Sequence, residues 1–427
     1  MRSAATFAVM LVTFLVAMEG TVISTAMPHI VRDLGGRDYY SLAFSAYLSC
    51  VTITGLLWGR LSDRWGVRSA YVSSVVLFLL GSLTCAQAFT MPALVAGRAL
   101  QGLGGGGLTP LGQTALGLLY SKQERARVQG LLVSVFGISS ILGPAIGGWI
   151  VSEANWRWIF YLNFPFAGLG LVLVLWSFPP PQPATAKPFD WLGLACFSIW
   201  QACLLGACSG HLWAIPITVA LGLILVWHQF RQSHPFLPLE LLSQDYLRRL
   251  FPLLVNLGMT VFAAANYLPL YYQELLGQSS AQAGRSLLPL MLAWVFSAAV
   301  APSWSLRVGS RRIVGLGSFA VWLGFGLLAW CPPGVWPGAL GGIGIGMGGG
   351  LTFSPVVIAV QSAVAPGLLG TATASLTFLR SLGATLGTAL LGLWLQPLQC
   401  FSPGWALASL GLWLWWRTPE PQSDPTL

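Results

Sequence analysis

Apolar runs long enough to cross a bilayer follow one another along the whole chain, separated by short breaks that hold the charges, prolines and glycines. They read at roughly 5 to 27, 41 to 58, 70 to 88, 92 to 119, 128 to 150, 157 to 178, 191 to 208 and 212 to 229. Six more lie at roughly 249 to 272, 282 to 303, 311 to 331, 335 to 359, 367 to 392 and 401 to 416. A hydrocarbon core about 30 Å thick takes about 20 residues of helix, so the pattern predicts an all-α integral membrane protein with about fourteen spans.

An even number of crossings puts both termini on one side, and Lys and Arg choose the side. With the N-terminus inside, fifteen of the 21 basic residues are cytoplasmic, against Arg32, Arg37, Arg157 and Arg285 outside, with Arg98 and Arg380 inside spans. The expectation is a multi-pass protein of the plasma (inner) membrane with both termini cytoplasmic. The apolar run after Arg2 is too long for a secretory h-region and carries Glu19 before any cleavage-like site, so it reads as a retained first helix.

The chain repeats itself weakly. Arg64, Gly66 and Arg68 are matched 243 positions on by Arg307, Gly309 and Arg311, and the run GGGLT from Gly105 returns at the same offset from Gly348. Two matches at one spacing point to related halves of six spans each. The expected organisation is an N-terminal six-helix bundle (1–180), an inserted helix pair with its flanking loops (181–247) and a C-terminal six-helix bundle with a short tail (248–427).

Composition narrows the picture. With 55% hydrophobic and 8% charged residues and a mean hydropathy of +0.73, no sizeable soluble domain is expected. The net charge of +9 is scattered singly and includes only two lysines; without a basic patch, nucleic acid is not expected as a partner. The seven cysteines lie in or beside apolar segments without zinc spacing and read as small buried hydrophobes.

Two GxGxxG matches, Gly102–Gly107 and Gly344–Gly349, lie in apolar helical runs with no preceding strand, so close helix packing is their expected role. No phosphate-cradling GxxxxGK[ST] occurs. The four His residues fall in three regions with no matching acid constellation, against a lipid-modifying membrane enzyme. No cofactor or metal is expected.

The candidate chemistry lies in Glu19, the one acid in the middle of a span. An intramembrane acid costs about 2.5 to 3.5 kcal/mol on insertion scales, and desolvation favours the neutral form of a carboxyl group, so such a group is suited to gaining and losing a proton. Arg98 is the candidate counter-charge. Counted at 1.5 Å per residue, the two lie at depths that agree within a few ångströms. In the fifth span, Gly143, Pro144, Gly147 and Gly148 place a helix breaker among residues that permit close backbone approach, as a fixed kink or a hinge. Tyr47, Gln101, Asn266 and Tyr267 are candidate cavity residues.

Taken together, these segments resemble the major facilitator superfamily, in its fourteen-span drug:proton antiporter branch. GRLSDRWGVR from Gly59 is similar to its loop motif, GRALQG to its fourth-helix motif and ILGPAIGG to its antiporter motif. MEGTVISTAMP, NWRWIFYLNFP, FDWLG, NYLPLYYQELLG and SLTFLRSLGATLGTALLG resemble further signatures, in order along nearly the whole chain.

The resemblance implies an alternating-access carrier that exchanges entering protons for lipophilic or cationic compounds, driven by the proton gradient. Glu19 would carry the proton and Arg98 would modulate it. The loop residues Gly59, Asp63, Arg64, Gly66 and Arg68 would latch the bundles in one state, and the Gly143–Pro144 helix would seal the pathway. A monomer is expected, with room for an accessory periplasmic partner. Export of one dedicated metabolite is the alternative cargo, and a non-transporting receptor is disfavoured by retention of these residues. Glu19 stands where many relatives carry Asp, Val67 replaces a basic residue, Leu306 replaces the acid of the second loop copy, and Arg285 holds a place often given to a small residue.

Overall fold

A computed structural model describes residues 2–36, 39–178, 190–208, 214–232, 245–278, 286–364, 368–392 and 397–416. Arg285 lies outside them. Every regular element among these residues is a helix: α1 (Arg2–Leu34), α2 (Tyr40–Trp65), α3 (Val67–Ala86), α4 (Met91–Leu119), α5 (Lys122–Glu153), α6 (Trp158–Tyr161), α7 (Asn163–Ser177), α8 (Trp191–Cys208), α9 (Ala214–Arg231), α10 (Asp245–Glu274), α11 (Leu288–Val308), α12 (Ser310–Trp330), α13 (Val335–Ala363), α14 (Leu369–Gly392) and α15 (Pro397–Trp416). Among the described residues nine segments are long and apolar enough to cross a membrane, with α6 and α7 taken as one.

The segment expected at 157 to 178 forms one apolar stretch, Trp158–Ser177, whose hydrogen bonding alone is interrupted at Leu162, between α6 and α7, while the Leu162 backbone stays helical. Pro165 explains the break: it has no N–H to donate to the Tyr161 carbonyl one turn earlier. Asp63, expected in an interhelical turn, belongs instead to the last turn of α2.

The chain forms two compact units. Unit 1 is Met1–Leu119, Val135–Leu239 and Val364–Ser375; unit 2 is Tyr120–Ser134, Glu240–Ala363 and Leu376–Leu427.

Within unit 1, α4 packs on α2 and α3. Glycines make the approach possible: a Cβ on Gly81 would lie 2.2 Å from the Gln101 backbone, and one on Gly106 would lie 2.3 Å from Thr54 Oγ1. Unit 2 repeats the arrangement with α13 against α11 and α12. There Gly344 meets the Gly324 backbone, and Gly350 meets Trp294, Ser297 and Ala298, the positions 243 beyond Val51, Thr54 and Gly55. The glycine-rich runs are therefore packing surfaces, since only small residues let helix backbones come this close.

The turn between paired helices is also duplicated. Gly66 (φ 81°, ψ 148°) separates α2 from α3, and Gly309 (φ 94°, ψ 138°) separates α11 from α12. An L side chain is strained in this region, so the repeated glycine is required by the turn. Two residues later, the Arg68 guanidinium donates to the Leu175 carbonyl at the end of α7. Its counterpart Arg311 donates to the Trp416 carbonyl at the end of α15, at 3.3 Å. A cation on the free carbonyls of a helix C-terminus is favourable for hydrogen bonding and for the helix dipole.

The inserted helices α8 and α9 pack on each other, and α8 touches α2 in the same unit. The FDWLG segment supplies the tie. Buried Asp190 caps α8 by accepting from Gly193 N–H at 2.7 Å and reaches α9 through Gln229 Nε2 at 2.9 Å and His228 Nε2 at 3.1 Å. A Cβ on Gly193 would lie 2.1 Å from the Asp190 carboxylate, which accounts for the glycine of the segment.

Candidate functional site

Polar side chains from four neighbouring helices of unit 1 converge on Glu19, halfway along α1. Its Oε1 accepts from Arg98 Nη1 (α4) at 2.5 Å, and its Oε2 accepts from Asn163 Nδ2 (α7) at 3.2 Å. Arg98 also donates to Gln101 Oε1 at 2.6 Å and to the Ala43 carbonyl (α2) at 3.4 Å, while its guanidinium lies 4.2 Å over the Tyr47 ring. Ser82 (α3) accepts from Gln101 at 2.9 Å and from Asn163 at 3.0 Å. Both charged side chains are enclosed, at 1% and 2% exposure.

Enclosure decides the energetics. Desolvating two ions is costly, and the pair persists because each ion is also hydrogen-bonded; removing one partner of such a buried pair costs about 3 to 5 kcal/mol. Asn163 adds a second property. Its Oδ1 has no hydrogen-bond partner among the described residues, so its amide donates to Glu19 and Ser82 while its acceptor stays unused.

A second junction in unit 1 holds the loop motif. Asp63 accepts from the backbone N–H groups of Gly370 at 3.0 Å and Thr371 at 2.9 Å, and from the Thr371 hydroxyl. It thereby satisfies free donors at the positive N-terminal end of α14. Gly59 makes room, since a Cβ there would lie 2.5 Å from Ala374 Cβ. Arg64 is exposed. Leu306, the counterpart of Asp63, is an exposed apolar side chain and reproduces no such cap.

The NWRWIFYLNFP segment serves both ends of this assembly. Asn163 reaches Glu19, while Trp156 Nε1 and Arg157 Nη1 donate to Asp33 Oδ2 at 2.8 and 3.0 Å. The indole hydrogen bond, and then that of the guanidinium, hold the Asp33 carboxyl below the usual aspartate range.

Sequence comparison places these features in a family. A model of the Major Facilitator Superfamily matches residues 9–388. The chain belongs to the Major Facilitator Superfamily. It is 30% identical over 396 residues to the Multidrug transporter protein MdtP of Bacillus subtilis, covering 89% of this chain and 72% of that protein. It is 29% identical over 390 residues to Multidrug resistance protein 3 of the same bacterium, covering 88% and 76%. The fold is similar to the crystal structure of the human organic anion transporter MFSD10 (TETRAN), with TM-score 0.73, 18% identity and coverage of 97% and 99%. It is also similar to the proton:xylose symporter XylE, with TM-score 0.68, 15% identity and coverage of 98% and 96%. At those identities the two structures speak for the fold alone. This major facilitator protein is a multi-pass membrane transporter of small molecules and not an enzyme.

Of the expected antiporter-motif residues, Gly143 and Gly147 are buried and Gly148 faces open space. The helix α5 runs unbroken from Lys122 to Glu153, so Pro144 does not end it; the Pro144 side chain lies outside the described ones. Tyr47 and Gln101, expected at a cavity, are buried as supports of Arg98. Tyr267 is half-buried, and the Asn266 side chain also lies outside the described ones.

Unit 2 of the transporter contains a second cation within a span, half-buried, which the sequence marks as a charge in an apolar run without assigning it a site. Arg380, in the middle of α14, holds its guanidinium 4.6 Å over the Phe353 ring and 5.3 Å over the Phe262 ring. Its buried Nε has no hydrogen-bond partner among the described residues. Arg at a helix centre costs about 2.5 to 3.5 kcal/mol on insertion scales, and one cation–π contact returns about 0.5 to 2 kcal/mol. Asn163 and Ser82 were also missed as site residues. The available signal was a polar residue inside an apolar run, but their partners stand 81 and 144 positions away in the chain.

Proposed function

We infer that this transporter is a fourteen-span proton antiporter that exports lipophilic or cationic drug-like compounds by alternating access. The observation that carries the reading is the enclosed Glu19–Arg98 pair, closed by Asn163. Protonation of Glu19 removes the charge that holds Arg98 and turns an acceptor into a donor. The change is felt at once on α1, α4 and α7, and through Gln101 and Ser82 on α3. A proton thus acts on how the helices of unit 1 are tied together. The drug-like cargo follows from the multidrug relatives.

In this reading Asp63 is a latch on α14, and its hydrogen bonds are made and released once per cycle. The protein works in the plasma membrane as a monomer with both termini cytoplasmic, with the proton gradient as its energy source and no cofactor.

The test is proton movement in proteoliposomes on addition of rhodamine 6G and a panel of amphiphilic drugs, comparing wild type with Glu19→Gln at equal amounts of folded protein. Wild type is expected to release protons on substrate addition, and the variant to bind substrate without doing so. Coupled transport unaltered in Glu19→Gln overturns the reading.

A further inference from the structure

Among the described residues of unit 2, Arg380 has no acidic partner. No acid occurs in α11, α12, α13, α14 or α15, and α10 carries acids only at its two ends. Phe262, on which the Arg380 guanidinium rests, lies 17 residues from Asp245 and 12 from Glu274, so about 25 Å and 18 Å along the helix. Glu124, at the start of α5, is exposed and bonded to the Ser121 amide. Among the described residues the Arg380 side chain makes no hydrogen bond and no ion pair, although its guanidinium offers five donors in a planar fork.

Depth excludes a lipid headgroup as the missing anion. Arg380 lies 11 residues from Leu369 and 12 from Gly392, which puts it about 17 Å from either end of α14. Its surroundings describe the rest of a ligand. Phe353 and Phe262 lie against the guanidinium, and Trp294 extends the wall edge-on to Phe262, with centroids 5.6 Å apart at 75°. Arg380, Phe262 and Trp294 are each half-buried, so the cluster is not sealed off.

We propose that Arg380, with Phe262, Phe353 and Trp294, is a binding site within unit 2 for the carboxylate of an aromatic organic acid. The acid's two oxygens take the planar fork bidentately, a geometry that suits Arg better than Lys, while its apolar body lies on the aromatic wall. The inference rests on the reading of the protein as an exporter and changes its cargo: aromatic acids join the lipophilic and cationic compounds.

The test is equilibrium binding to the full-length protein in nanodiscs at one fixed pH, with three probes: 1-pyrenebutyrate, its methyl ester and 1-pyrenemethylamine. Wild type is expected to prefer the acid to the ester by about tenfold or more, as a charge-assisted pair implies, and to bind the amine weakest. Arg380→Gln is expected to remove the acid preference while still binding the ester. If that variant fails to fold, Arg380→Lys keeps the charge without the fork, and the acid preference is expected to fall several-fold. Equal binding of acid and ester by wild type, or an acid preference unchanged in the variants, overturns the proposal. Binding does not depend on proton coupling, so an antiport that fails the Glu19→Gln test with the acid preference intact sinks the coupling reading and leaves this site standing.

Discussion

Replacing Arg98 by Met is expected to leave a carboxylate enclosed without its cation, at a cost of about 3 to 5 kcal/mol. Adding Glu19→Gln removes the stranded charge, so the double variant should recover much of the loss. Thermal unfolding in detergent measures both, and a double variant no more stable than Arg98→Met alone would count against a pair held by mutual compensation. Glu19 and Arg98 were legible as partners because charge is rare in this chain and their depths follow from simple counting. Asn163 and Ser82 were not, because a neutral polar side chain in an apolar run is unremarkable until its neighbours are known. Arg380 was visible as a charge within a span, but its bed of Phe262 and Phe353 comes from α10 and α13, and no local pattern joins them.

The elements are held by devices that substitution can address one at a time. Gly66→Ala and Gly309→Ala each force a side chain into a glycine-only region, at about 1 to 3 kcal/mol, and should lower the thermal midpoint to a similar degree although they lie in different units. A clear difference between them would argue against equivalent turns. The α8–α9 tie should respond to acid. Burial pushes the Asp190 carboxyl up, but hydrogen bonds from Gly193, His228 and Gln229 outweigh it and leave the group below the usual aspartate range. A depressed carboxyl contributes stability that is present above the unfolded-state value and disappears as pH falls through the folded one. The tie is therefore expected to hold at neutral pH and to weaken as pH falls below the ordinary aspartate value, read as faster hydrogen exchange at the first turn of α8. Asp190→Asn should flatten that pH dependence. At this scale the positions and lengths of most helices were legible from hydropathy, and the turn glycines from the repeat. The break between α6 and α7 was not, because Pro165 is as apolar in hydropathy as its neighbours and acts through a missing N–H.

Across the whole molecule, two units built on one plan carry different chemistry. The shared plan is a glycine-lined central helix, a positive-φ turn and an arginine on the far helix end. The differences lie at matched positions: Asp63 caps α14, and Leu306 caps nothing. Asp63→Asn keeps an acceptor but loses the charge that faces the helix N-terminus. Hydrogen exchange at the Gly370 and Thr371 amides is expected to quicken by about tenfold or more, and exchange unchanged at both would show that the carboxylate does not hold this end of α14. The contrast between an acid in unit 1 that is tied to its base and a base in unit 2 that has no acid partner among the described residues also bears on what drives a cycle. If Glu19 takes in one proton per turnover, a monovalent cation leaving in exchange moves no net charge, a neutral cargo moves one and a monovalent anion moves two. Each elementary charge crossing 100 mV is worth about 2.3 kcal/mol, so anion export would draw on membrane voltage twice over, while cation export would draw only on the difference in pH. Dissipating the voltage with valinomycin and potassium should then slow the efflux of an aromatic acid strongly and spare that of a cationic dye, whereas nigericin should stop the dye and slow the acid less.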